Sequence, residues 1–168
     1  MGFMDEDMFR PLHDHIIKWL DRNIADVLMV VFDLQVRPRQ VETKWEPAVR
    51  QTKEGGQFIG FIDFRATVLD FGVKGGLDEV TWRKIGAPES IRESQVVFEA
   101  KTEMPPGKLG ELFRQVRLYQ EGYIEGRPVR RMPFVIVCPD PSEADTLRAQ
   151  GLHFLKYEPD KVFALGGV

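Results

Sequence analysis

The chain is poor in cysteine and has no strong excess of either charge. Its single cysteine, Cys138, can form no internal disulfide, and no Cys/His spacing fits a zinc site. A disulfide-stapled secreted scaffold and a structural zinc domain are therefore excluded, and a reducing, cytoplasmic compartment is expected. The net charge is −3, from 23 Lys and Arg against 26 Asp and Glu, so the chain as a whole is not a generic polyanion binder. Any phosphate site has to come from a local basic patch or a bound metal. Long apolar runs are also missing: the longest, Val27 to Phe32, falls far short of the ~20 residues that span a bilayer. The amino terminus, Met-Gly-Phe-Met-Asp-Glu-Asp, lacks the basic-then-apolar order of a signal peptide. Neither membrane insertion nor export by that route is expected.

What is present is an ordinary globular composition, 43% apolar, 29% charged and 11% aromatic over 168 residues. A chain of this length hides roughly 70% of its unfolded surface, enough for one core without a staple. Asp5 to Leu20 carries Phe9, Leu12, Ile16, Ile17 and Leu20 at helical intervals behind two acids, and Ile24 to Val36 reads as a second helix closed by Pro38, which makes 1–40 a helical region. From Lys44 the pattern turns extended. Trp45 to Thr52, the turn Glu54-Gly55-Gly56-Gln57, and Phe58 to Phe71, dense in β-branched and aromatic residues, predict a β-hairpin. Residues 72–94 hold Gly72, Gly75, Gly76, Gly86 and Pro88 around a short helical stretch near Asp78 to Ile85, the marks of an inserted loop. A third strand covers Ser94 to Thr102, a helix Lys108 to Glu121, a strand Met132 to Cys138, a helix Pro141 to Gln150, and a last strand Leu152 to Tyr157. This order, α(α)-β-β-β-α-β-α-β, predicts one α/β domain over 1–168 with a mixed central sheet and flanking helices.

The chemistry-bearing residues fall on these elements. In a strand, residues two apart share a face, so the Glu99 carboxylate and the Lys101 ammonium stand side by side while Ala100 packs behind the sheet. Alone, that triplet equally describes a solvated ion pair: this composition yields about 1.4 acid-x-Lys triplets by chance, and Glu42-Thr43-Lys44 is another. Its setting is less ordinary, because Val96-Val97-Phe98 carries Glu99 to the edge of a core, and Asp63 interrupts the apolar stretch from Gly60 to Thr67. Either acid alone has a plain explanation, Asp63 as a strand-end group or a partner for Arg65. If the hairpin pairs with the third strand, the two carboxylates meet on one face, a ligand pair suited to Mg²⁺ or Mn²⁺ with substrate phosphate completing the shell. Gln115 and Tyr119 sit at i and i+4 on the following helix, a pairing that chance supplies only ~0.14 times in this composition. Between 105 and 131, Lys108, Arg114, Arg117, Arg127, Arg130 and Arg131 face only Glu111, Glu121 and Glu125, a local basic patch able to neutralise phosphates. His13-Asp14-His15 reads as a wet helix face, since residues two apart on a helix point in different directions. Cys138 and His153 read as packing residues, as do the three tryptophans, of which Trp82 is the one placed to stack on a base.

Taken in order, Glu46, Gly60-Phe61-Ile62-Asp63, Glu99-Ala100-Lys101-Thr102 and Gln115-Val116-Arg117-Leu118-Tyr119 resemble the PD-(D/E)XK nuclease superfamily. The Gln-x-x-x-Tyr element is similar to its branch of RecB-like and lambda-exonuclease-like enzymes. The resemblance covers about residues 42–138 and implies a restriction-endonuclease-like core and a metal-dependent hydrolase of DNA phosphodiesters. It implies that Asp63 and Glu99 bind Mg²⁺ or Mn²⁺, that the Ala100 carbonyl adds a ligand, and that Lys101 assists the attacking water. Glu46 would be the upstream acid, a position for which Glu42 competes. Gln115 and Tyr119, with Arg117, Arg114 and Lys108 beside them, would organise the site and touch the DNA backbone. The proline of the motif is replaced by Ile62, and the gap from Asp63 to Glu99 exceeds what a compact core needs, so 72–94 would serve as a substrate flap or a subunit contact. Two other readings stay open: a catalytically silent nuclease-like module that binds DNA or a protein, and a structure-specific or restriction-type endonuclease, which would act as a homo-oligomer.

Overall fold

The computed structural model describes residues 3–70 and 95–161, with side chains from Pro11 onward. The inserted loop expected over 72–94, with its short helix and Trp82, lies outside the described residues. Two helices open the chain, α1 (Phe3–Arg22) and α2 (Ile24–Phe32). The second stops earlier than the sequence pattern suggests, because Asp33 turns into the left-handed region at φ 51° and its amide bonds back to Met29, a C-cap that ends the helix before Pro38 is reached.

The strands β1 (Gln40–Trp45), β4 (Phe64–Asp70), β5 (Gln95–Ala100), β8 (Phe134–Cys138) and β9 (His153–Lys156) form a sheet in the order β1-β4-β5-β8-β9. It is mixed as expected. The β1, β4 and β5 neighbours are antiparallel, and β5, β8 and β9 run parallel. The parallel strands are joined through α3 (Leu109–Gln120) and α4 (Ala144–Ala149), since parallel neighbours need a crossover.

Alternation along β5 assigns the two faces. Val96, Phe98 and Ala100 pack with Ile16, Leu20, Val27 and Leu28 of the first two helices, whereas Val97 packs with Leu112, Val116, Tyr119 and Leu147 of the other two. Both faces of β5 and β8 are covered, which is why these strands are apolar almost throughout.

The expected hairpin takes a different course. Trp45 to Thr52 bends at Glu46-Pro47, and the run expected as one strand over Phe58–Phe71 is broken at Ile62-Asp63. The outer halves, β2 (Ala48–Thr52) and β3 (Gly55–Phe61), leave the first sheet. They join two short strands absent from the sequence reading, β6 (Tyr123–Ile124) and β7 (Arg127–Pro128), in a second sheet of order β3-β2-β6-β7. The bend has a local cause: Pro47 has no amide for a ladder, and Glu46 sits at φ 50°, off the strand region. The corner is closed by hydrogen bonds from the Glu46 amide to the Asp63 carbonyl (3.0 Å) and from the Ile62 amide to the Pro47 carbonyl (3.1 Å). The second sheet is tied to the first by Glu125, in the β6–β7 turn, which pairs with Lys44 (2.8 Å) and with the buried Arg65 (3.0 Å).

Candidate active site

The corner places Asp63 at the mouth of β4, directly before the residue that pairs with Phe98. One step further along that register brings Asp63 opposite Glu99. The two acids, 36 positions apart in the chain, are joined reciprocally: the Asp63 amide donates to Glu99 Oε1 (3.0 Å), and the Ala100 amide donates to Asp63 Oδ2 (2.8 Å). Ala100 thus enters the site through its amide. Arg65, the alternative partner for Asp63, is engaged with Glu125 instead.

Lys101 leaves the end of β5 with its ammonium 3.8 Å from Glu99 Oε2 and 3.3 Å from Gln115 Oε1. The i, i+4 spacing on α3 then continues the chain of contacts. Gln115 Nε2 donates to the Tyr119 hydroxyl (3.3 Å), and that hydroxyl donates to the Phe61 carbonyl (3.0 Å). Gln115 and Tyr119 therefore hold Lys101 on one side and the end of β3 on the other. Tyr119 fits because Gly60 has no side chain, for a Cβ there would lie 3.0 Å from the Tyr119 ring.

A residue that the sequence reading set aside completes the cluster. His13 reaches across from α1, its Nε2 3.1 Å from Asp63 Oδ2, while His15 points to solvent. The signal was present: His13 lies on the same helical stripe as Ile16, Ile17 and Leu20, all buried, whereas His15 is off it. The helix is anchored for this contact by Asp21, which accepts from Thr43 (2.7 Å) and from the Trp45 indole (3.0 Å) on β1.

The electrostatics follow from burial. Glu99 is 3% exposed; its loss of hydration, then the neighbouring Asp63 charge, push its pKa up to about 8 against the pull of Lys101, the Asp63 amide and His13. The hydrogen bond to Asp63 raises His13 in spite of its partial burial. Burial and the Glu99 charge raise Tyr119, so its hydroxyl stays a donor. A buried carboxylate forced against a second one is opposed here by the Lys101 ammonium and by His13 on Asp63, and two adjacent carboxylates are the kind of oxygen ligand that a hard divalent cation takes. In kind, the two carboxylates suit Mg²⁺ or Mn²⁺, whereas His13 Nε2 is engaged with Asp63 Oδ2. Among the described residues no group of three His, Cys, Asp or Glu side chains is arranged to hold a metal ion. One oxygen of each carboxylate is held by a backbone amide instead.

The remaining candidates stand further out. Glu46 contributes its backbone to the corner, but its side chain is exposed and has no hydrogen-bond or ion-pair partner among the described residues. Arg114 and Arg117 lie on the exposed side of α3, and Lys108 is half-buried just before it. A separate cleft of about 530 Å³ opens over the far edge strand, lined by Trp19, Arg148, His153 and Lys156 among others; burial lowers His153 there. It contains none of the paired acids. No helix among the described residues is long and apolar enough to cross a membrane. No family model, curated protein or solved structure matches the chain.

Proposed function

We propose that this chain is a divalent-metal-dependent nuclease that hydrolyses DNA phosphodiester bonds, built on a restriction-endonuclease-like core of the PD-(D/E)XK type. The observation that carries the reading is the reciprocal Asp63–Glu99 pair with Lys101 beside it. Asp63 and Glu99 would hold Mg²⁺ or Mn²⁺, with His13 on the Asp63 side. When bound, the ion polarises a phosphoryl oxygen and neutralises developing charge. Lys101, kept in place by Gln115, puts an ammonium where negative charge grows during attack on phosphorus. The exposed Arg114 and Arg117 on α3 give phosphate contacts without base reading.

The test is a gel assay of linear, circular, single-stranded and branched DNA with Mn²⁺ or Mg²⁺, and with EDTA. Linear DNA should be degraded and closed circles spared, the pattern of an exonuclease; cutting of circles or branches moves the reading to a structure-specific or restriction-type endonuclease. EDTA should abolish cleavage. Asp63→Ala, Glu99→Ala and Lys101→Ala should each lower it at least about 10²-fold with unchanged circular dichroism. Full activity in all three variants would falsify the assignment. A second reading, a silent nuclease-like binding module, is favoured by two features, the amide-held carboxylates and the outward Glu46. It predicts no cleavage of any DNA form and no thermal shift with either metal.

A further inference from the structure

Two phenyl rings on β3 remain unused by the core. Phe58 and Phe61 are 44% and 55% exposed, with ring centroids 4.8 Å apart and planes tilted by 59°. Residues three apart in a regular strand point to opposite faces. Here the β2–β3 register shifts, Val49 facing Gly60 while Arg50 faces Phe58, so Ile59 is an extra residue. That bulge turns Ile59 and Gly60 inward, against Val116 and its neighbours and against Tyr119, and leaves both phenyls on the outer face. Burying them at the hairpin's own expense was not the outcome; they stand together in water.

We propose that Phe58 and Phe61 form a stacking platform for the unpaired bases of a single DNA strand, delivering that strand to the acidic site. The inference deepens the nuclease reading and rests on it for the fate of the bound strand. Continuity with the site is direct: the Phe61 carbonyl accepts the Tyr119 hydroxyl of the Lys101–Gln115–Tyr119 chain. Asp63 follows two residues later, no more than about 7 Å along the backbone. Charge agrees. Arg50 stands opposite Phe58 on the same face, exposed and with no carboxylate partner among the described residues, where a phosphate flanking a stacked base would lie.

Size separates this occupant from a protein. Two phenyls roughly half-exposed present on the order of 200 Å², well below the roughly 800 Å² that each partner contributes to a standard protein interface, but suited to one or two base faces. A second copy pairing along the β3 edge is disfavoured by the bulge, which interrupts the regular row of amides and carbonyls that such pairing needs.

The test uses the full chain in EDTA, so that binding is read without cleavage, and follows fluorescence anisotropy of a labelled oligothymidylate, an abasic strand of equal length and a blunt duplex. Wild type should prefer the oligothymidylate to the abasic strand. The Phe58→Ala, Phe61→Ala double variant should weaken oligothymidylate binding at least about tenfold and change the other two probes less than about twofold. Phe58→Leu with Phe61→Leu keeps the strand and much of the apolar area, and should lose affinity like the alanine pair; Phe58→Trp should keep it. Equal oligothymidylate binding by wild type and the alanine variant, recovery in the leucine variant, or no oligothymidylate binding by wild type each overturns the platform. So does sedimentation showing a wild-type dimer that the alanine variant dissolves. Strand binding that depends on the rings in a protein that cuts nothing leaves the platform standing and removes the nuclease; metal-dependent cleavage indifferent to the rings does the reverse.

Discussion

Glu99 sets two requirements against each other: the fold closes around its carboxylate, and the proposed chemistry needs that carboxylate charged. With its pKa at about 8 in the folded chain and near 4.3 when exposed, the folded state holds the proton more tightly than the unfolded one. Its contribution to stability is therefore present in acid and is lost as pH climbs from about 4.3 through 8. His13, raised by Asp63, acts in the same sense, its contribution being present below about 6.5 and lost above its raised value. In EDTA the thermal midpoint should therefore fall between pH 5 and pH 9, and Glu99→Gln, which stays neutral throughout, should flatten most of that slope. A slope identical in wild type and Glu99→Gln would show that the burden lies elsewhere. His13 also marks where residue types alone mislead. Helix geometry sends His13 and His15 in different directions, but reading both as a wet face holds only for His15; the stripe shared with Ile16, Ile17 and Leu20 carries His13 to Asp63.

The corner at Glu46-Pro47 and Ile62-Asp63 is the element on which the site depends, because it ends β4 at Asp63 and sends β3 over α3. Its support comes from the far side, where Gly122 lets the chain after α3 pass close under the hairpin. A Cβ at Gly122 would lie 2.4 Å from Val49 Cγ1 and 2.9 Å from the Arg50 carbonyl oxygen, and a backbone atom cannot swing aside. Gly122→Ala should cost about 1–3 kcal/mol in urea unfolding. It should also loosen the Tyr119–Phe61 contact, which amide exchange of β2 and β3 would register as faster opening. Unchanged stability would mean that the hairpin is free to ride outward. Strand and helix positions along β5, α3, β8 and β9 were legible in the sequence to within a few residues, since each has an uninterrupted periodic pattern. The split of the hairpin into two sheets was not: β-branched and aromatic residues run on through the corner, and only Pro47 hints at it. The four residues of β6 and β7 are too few for any period, although Glu125-Gly126, both at positive φ, is the kind of turn that joins such strands.

At the scale of the whole molecule, the site lies where the two helical layers meet the end of the sheet. Asp63 is reached by α1 from one side, and Glu99 is served by α3 from the other. A cation held there would connect both layers and stabilise the assembled fold by mass action. At a hundredfold excess over its Kd, Mn²⁺ should add about 2.7 kcal/mol, raising the thermal midpoint reversibly with EDTA. Asp63→Ala should erase the shift; a shift that persists in that variant would place the ion elsewhere.

The opening helices, the strands β5, β8 and β9 with the helices between them, and the alignment of Gln115 with Tyr119 were decided by the sequence alone. Each is a matter of local period, and a local period survives whatever the rest of the chain does. The meeting of Asp63 with Glu99, the arrival of His13, the outward turn of Glu46 and the pairing of Phe58 with Phe61 were decided only in three dimensions. They depend on strand register, on one bulged residue and on a two-sheet corner. A shift of one position in any of these would send the same side chains to the opposite face.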